Sequence, residues 1–241
     1  MKVHAAVVIA LVSGAGCERP LPVEPLPAMQ PGQPERRLVS PRDALVVARE
    51  RMSWSVTWRG LPVGAIQWAS GSGDRVVAIE SEFHTSGVAA NMVRIEHRLA
   101  TRVDAVSGGP IDGVDTIVDG GAAHTTRISF SHERWRGAHT LHSAVAAVRG
   151  WASDATASGY LFVVHQGLRY RLDVARPEVD MVDGASALRI EAELARVDGR
   201  GEPVAITLWL SGKPWQIPMR LEVEQDGNTA TAELIERTVD R

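Results

Sequence analysis

The sequence is short of the residues that most readily mark a chemistry. Cysteine occurs once, at Cys17, among 241 residues. A lone cysteine closes no internal disulfide and supplies no cysteine-based metal site. Lysine is almost missing: of 26 basic residues only Lys2 and Lys213 are lysine, and the arginines cluster nowhere. With a net charge of −3, that scatter excludes a basic nucleic-acid face and an acidic tail. No apolar run approaches the roughly 20 residues that cross a bilayer as a helix. Catalytic motifs are lacking too. There is no His-Glu-x-x-His and no Gly-x-Ser-x-Gly. Gly71-Ser72-Gly73 reads as a hairpin turn, and Gly120-Gly121 lies between strands instead of before a helix. Asp and Glu fall mostly on wet strand faces, which offers no sign of the converging carboxylates of a glycosidase.

What is present begins with an export segment. Residues 1–16 carry Lys2, an apolar stretch from Val3 to Val12 and the small residues Ser13 to Gly16, the layout of a signal peptide. Cys17 follows directly, in a setting that resembles a bacterial lipobox, although Gly14 stands where leucine is usual. The expectation is lipid attachment at Cys17, with plain secretion by cleavage at the same bond as the alternative. Residues 17–39 form a lipid-anchored linker in which Pro20, Pro22, Pro25, Pro27, Pro31 and Pro34 favour extended polyproline-like backbone. The cell envelope is the expected location, facing the periplasm. Glu18 in place of the aspartate that retains such proteins inside favours the outer membrane.

Residues 40–241 are expected to form a single antiparallel β domain. Ser40-Pro41-Arg42-Asp43 reads as a helix start, with a short helix to about Glu50. Period-2 alternation follows: Met52, Trp54, Val56 and Trp58 share a face, then Ile66 and Trp68, then Val77, Ile79 and Phe83, then His97, Leu99, Thr101 and Val103. Gly60 to Gly64 read as a turn. Leu168 to Val174, Leu188 to Leu194, Ile217 to Val223 and Ala230 to Leu234 repeat the pattern, separated by Gln166-Gly167, Asp183-Gly184, Asp198-Gly199 and Asp226-Gly227-Asn228, which suit hairpins. Only Leu141 to Trp151 is apolar at helical spacing. The fold class is therefore mainly β: about ten strands in one large curved antiparallel sheet, an open or half barrel, with one internal helix packed in its concavity.

Three stretches carry a resemblance: Trp58-Arg59-Gly60-Leu61-Pro62-Val63-Gly64, His142 through Trp151, and Trp209 through Pro218 leading into Met219-Arg220-Leu221. Their order resembles the DUF3108 family of exported bacterial proteins of unknown function, over about residues 50–237. Ser211-Gly212-Lys213-Pro214 departs from the acidic residue expected after the tryptophan. The resemblance implies a curved sheet and an envelope location, and it supplies no catalytic residues. The layout is also similar to the half-barrel-and-helix plan of lipoprotein carriers such as LolA and LolB.

Two residue types invite a functional reading. His132, His139 and His142, with Glu133, form the only histidine cluster in the sequence. Without zincin spacing they read as solvated or capping residues, so neither a metal nor a cofactor is expected. Seven of the twelve aromatic residues are tryptophan. Trp54, Trp58, Trp68, Trp151 and Trp209 fall at or beside inward positions, and some are expected to line a ligand cavity between sheet and helix, against a background of plain core packing. The leading expectation is a non-enzymatic envelope lipoprotein that binds an apolar ligand, a lipid or acyl chain or a lipoprotein. The alternative is a structural or assembly partner with a solid core and a free strand edge; a hydrolase comes third.

Overall fold

A computed structural model describes residues 37–38 and 44–240. The signal segment, Cys17, most of the linker and the predicted helix start at residues 40–43 lie outside them. In chain order the elements are β1 (Arg37–Leu38), β2 (Glu50–Trp58), β3 (Leu61–Ser70), β4 (Val76–Thr85), α1 (Gly87–Met92), β5 (Ile95–Asp104), β6 (Pro110–Asp119) and β7 (Ala122–Ser129). Then come β8 (Ala138–His139), α2 (Leu141–Ala152), β9 (Gly159–His165), β10 (Leu168–Val174), β11 (Glu178–Val182) and β12 (Ala185–Arg196), followed by β13 (Val204–Ser211), β14 (Pro218–Gln225) and β15 (Asn228–Val239).

All fifteen strands belong to one sheet. Its order runs β1-β9-β10-β12-β13-β14-β15-β2-β3-β4-β5-β6-β7, with β11 on β12 and β8 on β9. Pairing is antiparallel except for β1 and β8 on β9. The sheet does not close on itself through backbone pairing, yet β7 lies beside β9: Ile128 shares a buried cluster with Phe162 and Val164. The segment from Glu133 to His139 covers that seam. It adds Trp135 and Ala138 to the same cluster, so β9 is buried on both faces.

The predicted alternation holds in β2 and β4. Met52, Trp54 and Val56 are buried between part-exposed serines, and Val77, Ile79 and Phe83 face inward. Hairpin turns form where a side chain and a glycine both take positive φ: Gln166 and Gly167 at 50° and 74°, Asp183 and Gly184 at 50° and 79°, Asp226 and Gly227 at 51° and 68°. Such pairs suit the primed turns whose twist matches that of the flanking strands. The β2–β3 turn is tighter than the predicted Gly60–Gly64. Arg59 and Gly60 make it alone, and Leu61 to Gly64 already belong to β3. The outer face of β9 and β10 is coated by arginines stacked on rings, with Arg169 over Phe162 at 4.3 Å and Arg171 over Tyr160 at 4.4 Å, so their aliphatic stems shield apolar surface.

The strand count exceeds the ten expected because β6 and the short pieces β1, β8 and β11 carry weak alternation. The predicted helix up to Glu50 is absent among the described residues. Residues 44–47 are irregular, residues 48 and 49 form a turn, and Glu50 opens β2. Leu45 N–H donates to Ala146 O at 2.8 Å, which spends on α2 the backbone donor a local helix would need.

Helix α2 occupies the concavity, as expected. Thr140 caps it in a reciprocal box with Ser143. Burial reaches all round the helix, covering Ala144, Ala146, Ala147 and Val148 but also His142 and Arg149. Four of the buried residues, Ala144, Ala146, Ala147 and Ala152, are alanine, whose short side chains let strands approach closely. Leu141 and Trp151 pack against the main core cluster. Arg149 is the anchor. Its guanidinium donates to Glu50 at 2.9 and 3.2 Å and to the carbonyls of Gln216 and Trp215 at 3.0 and 2.9 Å. Arg237 adds a bond to Glu50 at 2.8 Å.

Candidate functional site: an apolar cavity and a buried polar layer

The inward faces of β2, β3, β4 and β15 are only partly filled at one end of the barrel. There Val56, Trp58, Val63, Phe83 and Ala230, with helix α1, enclose a cavity of about 580 Å³, within the roughly 300–1,000 Å³ typical of small-ligand sites. Its wall is almost entirely carbon. At the rim Leu61, Val88 and Met92 are 65%, 76% and 66% exposed, which is much apolar surface to leave in water around one opening. The Trp58 indole N–H has no hydrogen-bond partner among the described residues. Thr85 is occupied structurally: its hydroxyl donates to Val93 O at 3.0 Å and accepts from Ile95 N–H at 3.1 Å.

Gly64 stands close behind Phe83, one of the lining residues. A Cβ there would lie 2.3 Å from His84 O and 2.8 Å from the Phe83 ring. We expect Gly64→Ala to displace Phe83 and to cost about 1–3 kcal/mol, the usual penalty of overpacking, read from a urea unfolding midpoint at unchanged m.

The five tryptophans are not gathered around one space. Trp58 lines the apolar cavity. Trp54 is core, with its N–H donated to Pro218 O at 3.0 Å. Trp68 stacks edge-on against His142 at 4.5 Å and borders a polar cleft that involves Glu80, Glu82 and Arg98. Trp151, on α2, packs against the main core cluster. Trp209 faces outward, opposite Arg189 and Arg220 in the ladder, and donates to Asp180 at 2.9 Å under the β11 flap. The reason is parity: Leu208 and Leu210 take the inward positions of β13, so Trp209 between them cannot.

The histidines are distributed differently from their sequence clustering. His132 is exposed, its ring accepting from Arg134 N–H at 3.2 Å, and Glu133 is exposed beside it. His139 and His142 are buried but point apart. His139 contacts Ser143 at 3.3 Å, while His142 sits between Ser81 at 2.7 Å and Thr101 at 3.1 Å. Burial, the dominant influence, pushes His139 down to about 4 and His142 down to about 3. A trio not singled out in the sequence lies beyond: Asp115 on β6 between His97 at 2.8 Å and His165 at 2.7 Å. Burial alone would raise the Asp115 carboxyl, but the two imidazoles outweigh it and hold it well below the usual carboxylate range. The only sequence signal for this trio was the placing of His97 on a dry strand face among Leu99 and Val103.

No family model matches the sequence, and no curated protein matches it. Among solved structures, the chain is similar to a β-barrel-like protein of domain of unknown function DUF1849 from Brucella abortus. The TM-score is 0.54 at 9% identity, covering 82% of this chain and 100% of that one. This likeness shows a shared fold. Lipoprotein LppX of Mycobacterium tuberculosis aligns with a TM-score of 0.33 at 9% identity, over 80% of this chain and 90% of its own. LprF of Mycobacterium bovis gives 0.32 at 12% identity, over 80% and 89%. These two are distant likenesses from which nothing about this chain follows. None of the described helices is long and apolar enough to cross a membrane.

Proposed function

We propose that the protein is a non-enzymatic envelope lipoprotein that binds one acyl chain, or an apolar ligand of similar girth, at the open end of its barrel. The observation that carries this is the carbon-walled cavity of about 580 Å³ opening past exposed Leu61, Val88 and Met92. Each methylene moved from water into such a space contributes about 0.8 kcal/mol, enough for a chain of eight or more carbons to offset much of the cost of association. The resemblance to the DUF3108 family belongs to the same proposal. Trp58, Leu61, Pro62 and Val63, from one of its three stretches, line the cavity. Location rests on residues 1–17 alone. If the mature protein carries no acyl mass on Cys17, the lipid anchor is wrong while the cavity reading stands.

The direct test is binding of a fluorescent fatty acid, with native mass spectrometry for co-purified lipid. Ala230→Trp places an indole in the cavity and is expected to weaken binding at least tenfold, since about 1.4 kcal/mol is a factor of ten. Val88→Ser with Met92→Ser, at exposed positions, should leave the thermal midpoint in place and slow uptake. Absence of binding by the wild type, or full affinity in a folded Ala230→Trp protein, would overturn the proposal.

A further inference from the structure

His97, Asp115 and His165 take no part in the cavity. They come from β5, β6 and β9, and in the sheet order β9 stands near one end while β5 and β6 stand near the other. The trio therefore spans the seam where the sheet fails to close. All three residues are buried, His165 at 1% exposure, and one donor atom from each lies within 4.8 Å of the others. His97 Nε2 makes an ordinary contact with Asp115 Oδ1 at 2.8 Å. The other contact is not ordinary. His165 Nδ1 is 2.7 Å from Asp115 Oδ2, yet neither atom has a hydrogen-bond partner, and His165 Nε2 has none among the described residues either. The approach is too poorly aligned for an N–H···O bond and is an electrostatic contact only. Polar atoms left unmet in a dry interior are costly. A cation held between His165 Nδ1 and Asp115 Oδ2 would meet both.

We propose that His97, Asp115 and His165 form a binding site for one divalent transition-metal ion of the zinc class, which ties the two ends of the sheet together. Two imidazoles and a carboxylate are suited to Zn²⁺ or Co²⁺, with a fourth position for solvent; Ca²⁺ and Mg²⁺ demand more oxygen ligands. Bond lengths of about 2.0–2.2 Å in a tetrahedral site place donor atoms about 3.3 Å apart, so the two carboxylate contacts need to open by about half an ångström. The strands of the sheet hold the ligands from both sides of the seam, where no pairing joins β7 to β9 among the described residues.

The experiment is titration of the chelator-stripped full chain with Zn²⁺ and Co²⁺. The expected result is one tight equivalent, a raised thermal midpoint and the visible spectrum of low-coordinate Co²⁺. His97→Gln and His165→Gln should weaken binding at least tenfold, while His124→Gln and His132→Gln, at exposed sites, should not. His165→Cys keeps a ligand and should add a thiolate-to-Co²⁺ charge-transfer band, a direct readout of coordination that does not depend on stability. No binding by the wild type, or binding unchanged in folded His97→Gln and His165→Gln proteins, would overturn the site.

Discussion

Glu50→Ala is expected to remove about 3–5 kcal/mol of stability, the usual cost of breaking a buried ion pair from one side. The protein then sits at or beyond the edge of unfolding, since a typical domain has only about 5–15 kcal/mol in total. Glu50 and Arg149 are 1% and 2% exposed in their side chains, so the guanidinium left behind reaches no water. It retains only the carbonyls of Trp215 and Gln216, which carry no neutralising charge. The same carboxylate also holds Arg237 on β15. One residue thus joins helix α2, strand β2 and strand β15, and its loss frees the helix inside the barrel. The pair Glu50→Leu with Arg149→Met should recover most of the loss, because it exchanges two desolvated charges for apolar volume. Chemical unfolding of the three variants checks this. A Glu50→Ala cost below about 1 kcal/mol, as for a surface pair, would mean that the ion pair does not seat the helix.

Stability is expected to fall steeply from pH 6.5 towards pH 4. His139 and His142 are buried as neutral rings, with values pushed down to about 4 and about 3. In the unfolded chain both take up protons near pH 6.5. Above that pH neither state binds them, and the contribution is present in full. Below it the unfolded state binds protons that the folded state refuses, so unfolding is favoured as pH drops. Each histidine contributes about 1.4 kcal/mol per pH unit across this window, and the loss ends only as pH falls through the folded values. Asp115 acts in a lower range, since its depressed carboxyl matters only once unfolded aspartates protonate, near pH 3.9. Urea midpoints between pH 7.5 and 4.5 give the slope. His142→Gln, which keeps polar atoms near Ser81 and Thr101, should lower that slope by about half. A flat profile in the wild type would show that both rings find solvent.

The candidate sites were legible in unequal measure, for physical reasons. Trp58, Leu61 and Val63 could be read as strand and turn, but the cavity they line depends on α1, which places Val88 and Met92 at its rim. Six residues with little alternation of their own gave no warning of that helix. The trio was hidden by its strand. In β6 the buried positions are Gly113, Asp115 and Ile117, so a glycine and a carboxylate stand where a pattern search expects apolar residues. Val114, Thr116 and Val118, half-buried on the other face, invert the usual sign. Trp209 stands beside the inward Leu208 and Leu210, and the β11 flap buries it on the outer face.

What the chain determined by itself was the set of strands with one dry face, the glycine turns that join neighbours into hairpins, and the one segment whose apolar period is helical. Local sterics and burial act over a few residues, and a sequence prints them directly. What only the tertiary structure decided was which distant faces meet: that β9 returns beside β7, that Glu50 reaches Arg149, and that two histidines from opposite ends of the sheet close on Asp115. Those contacts form because a twisted sheet of this width curls until its ends approach. Curl is a property of the whole sheet, and no window of residues carries it.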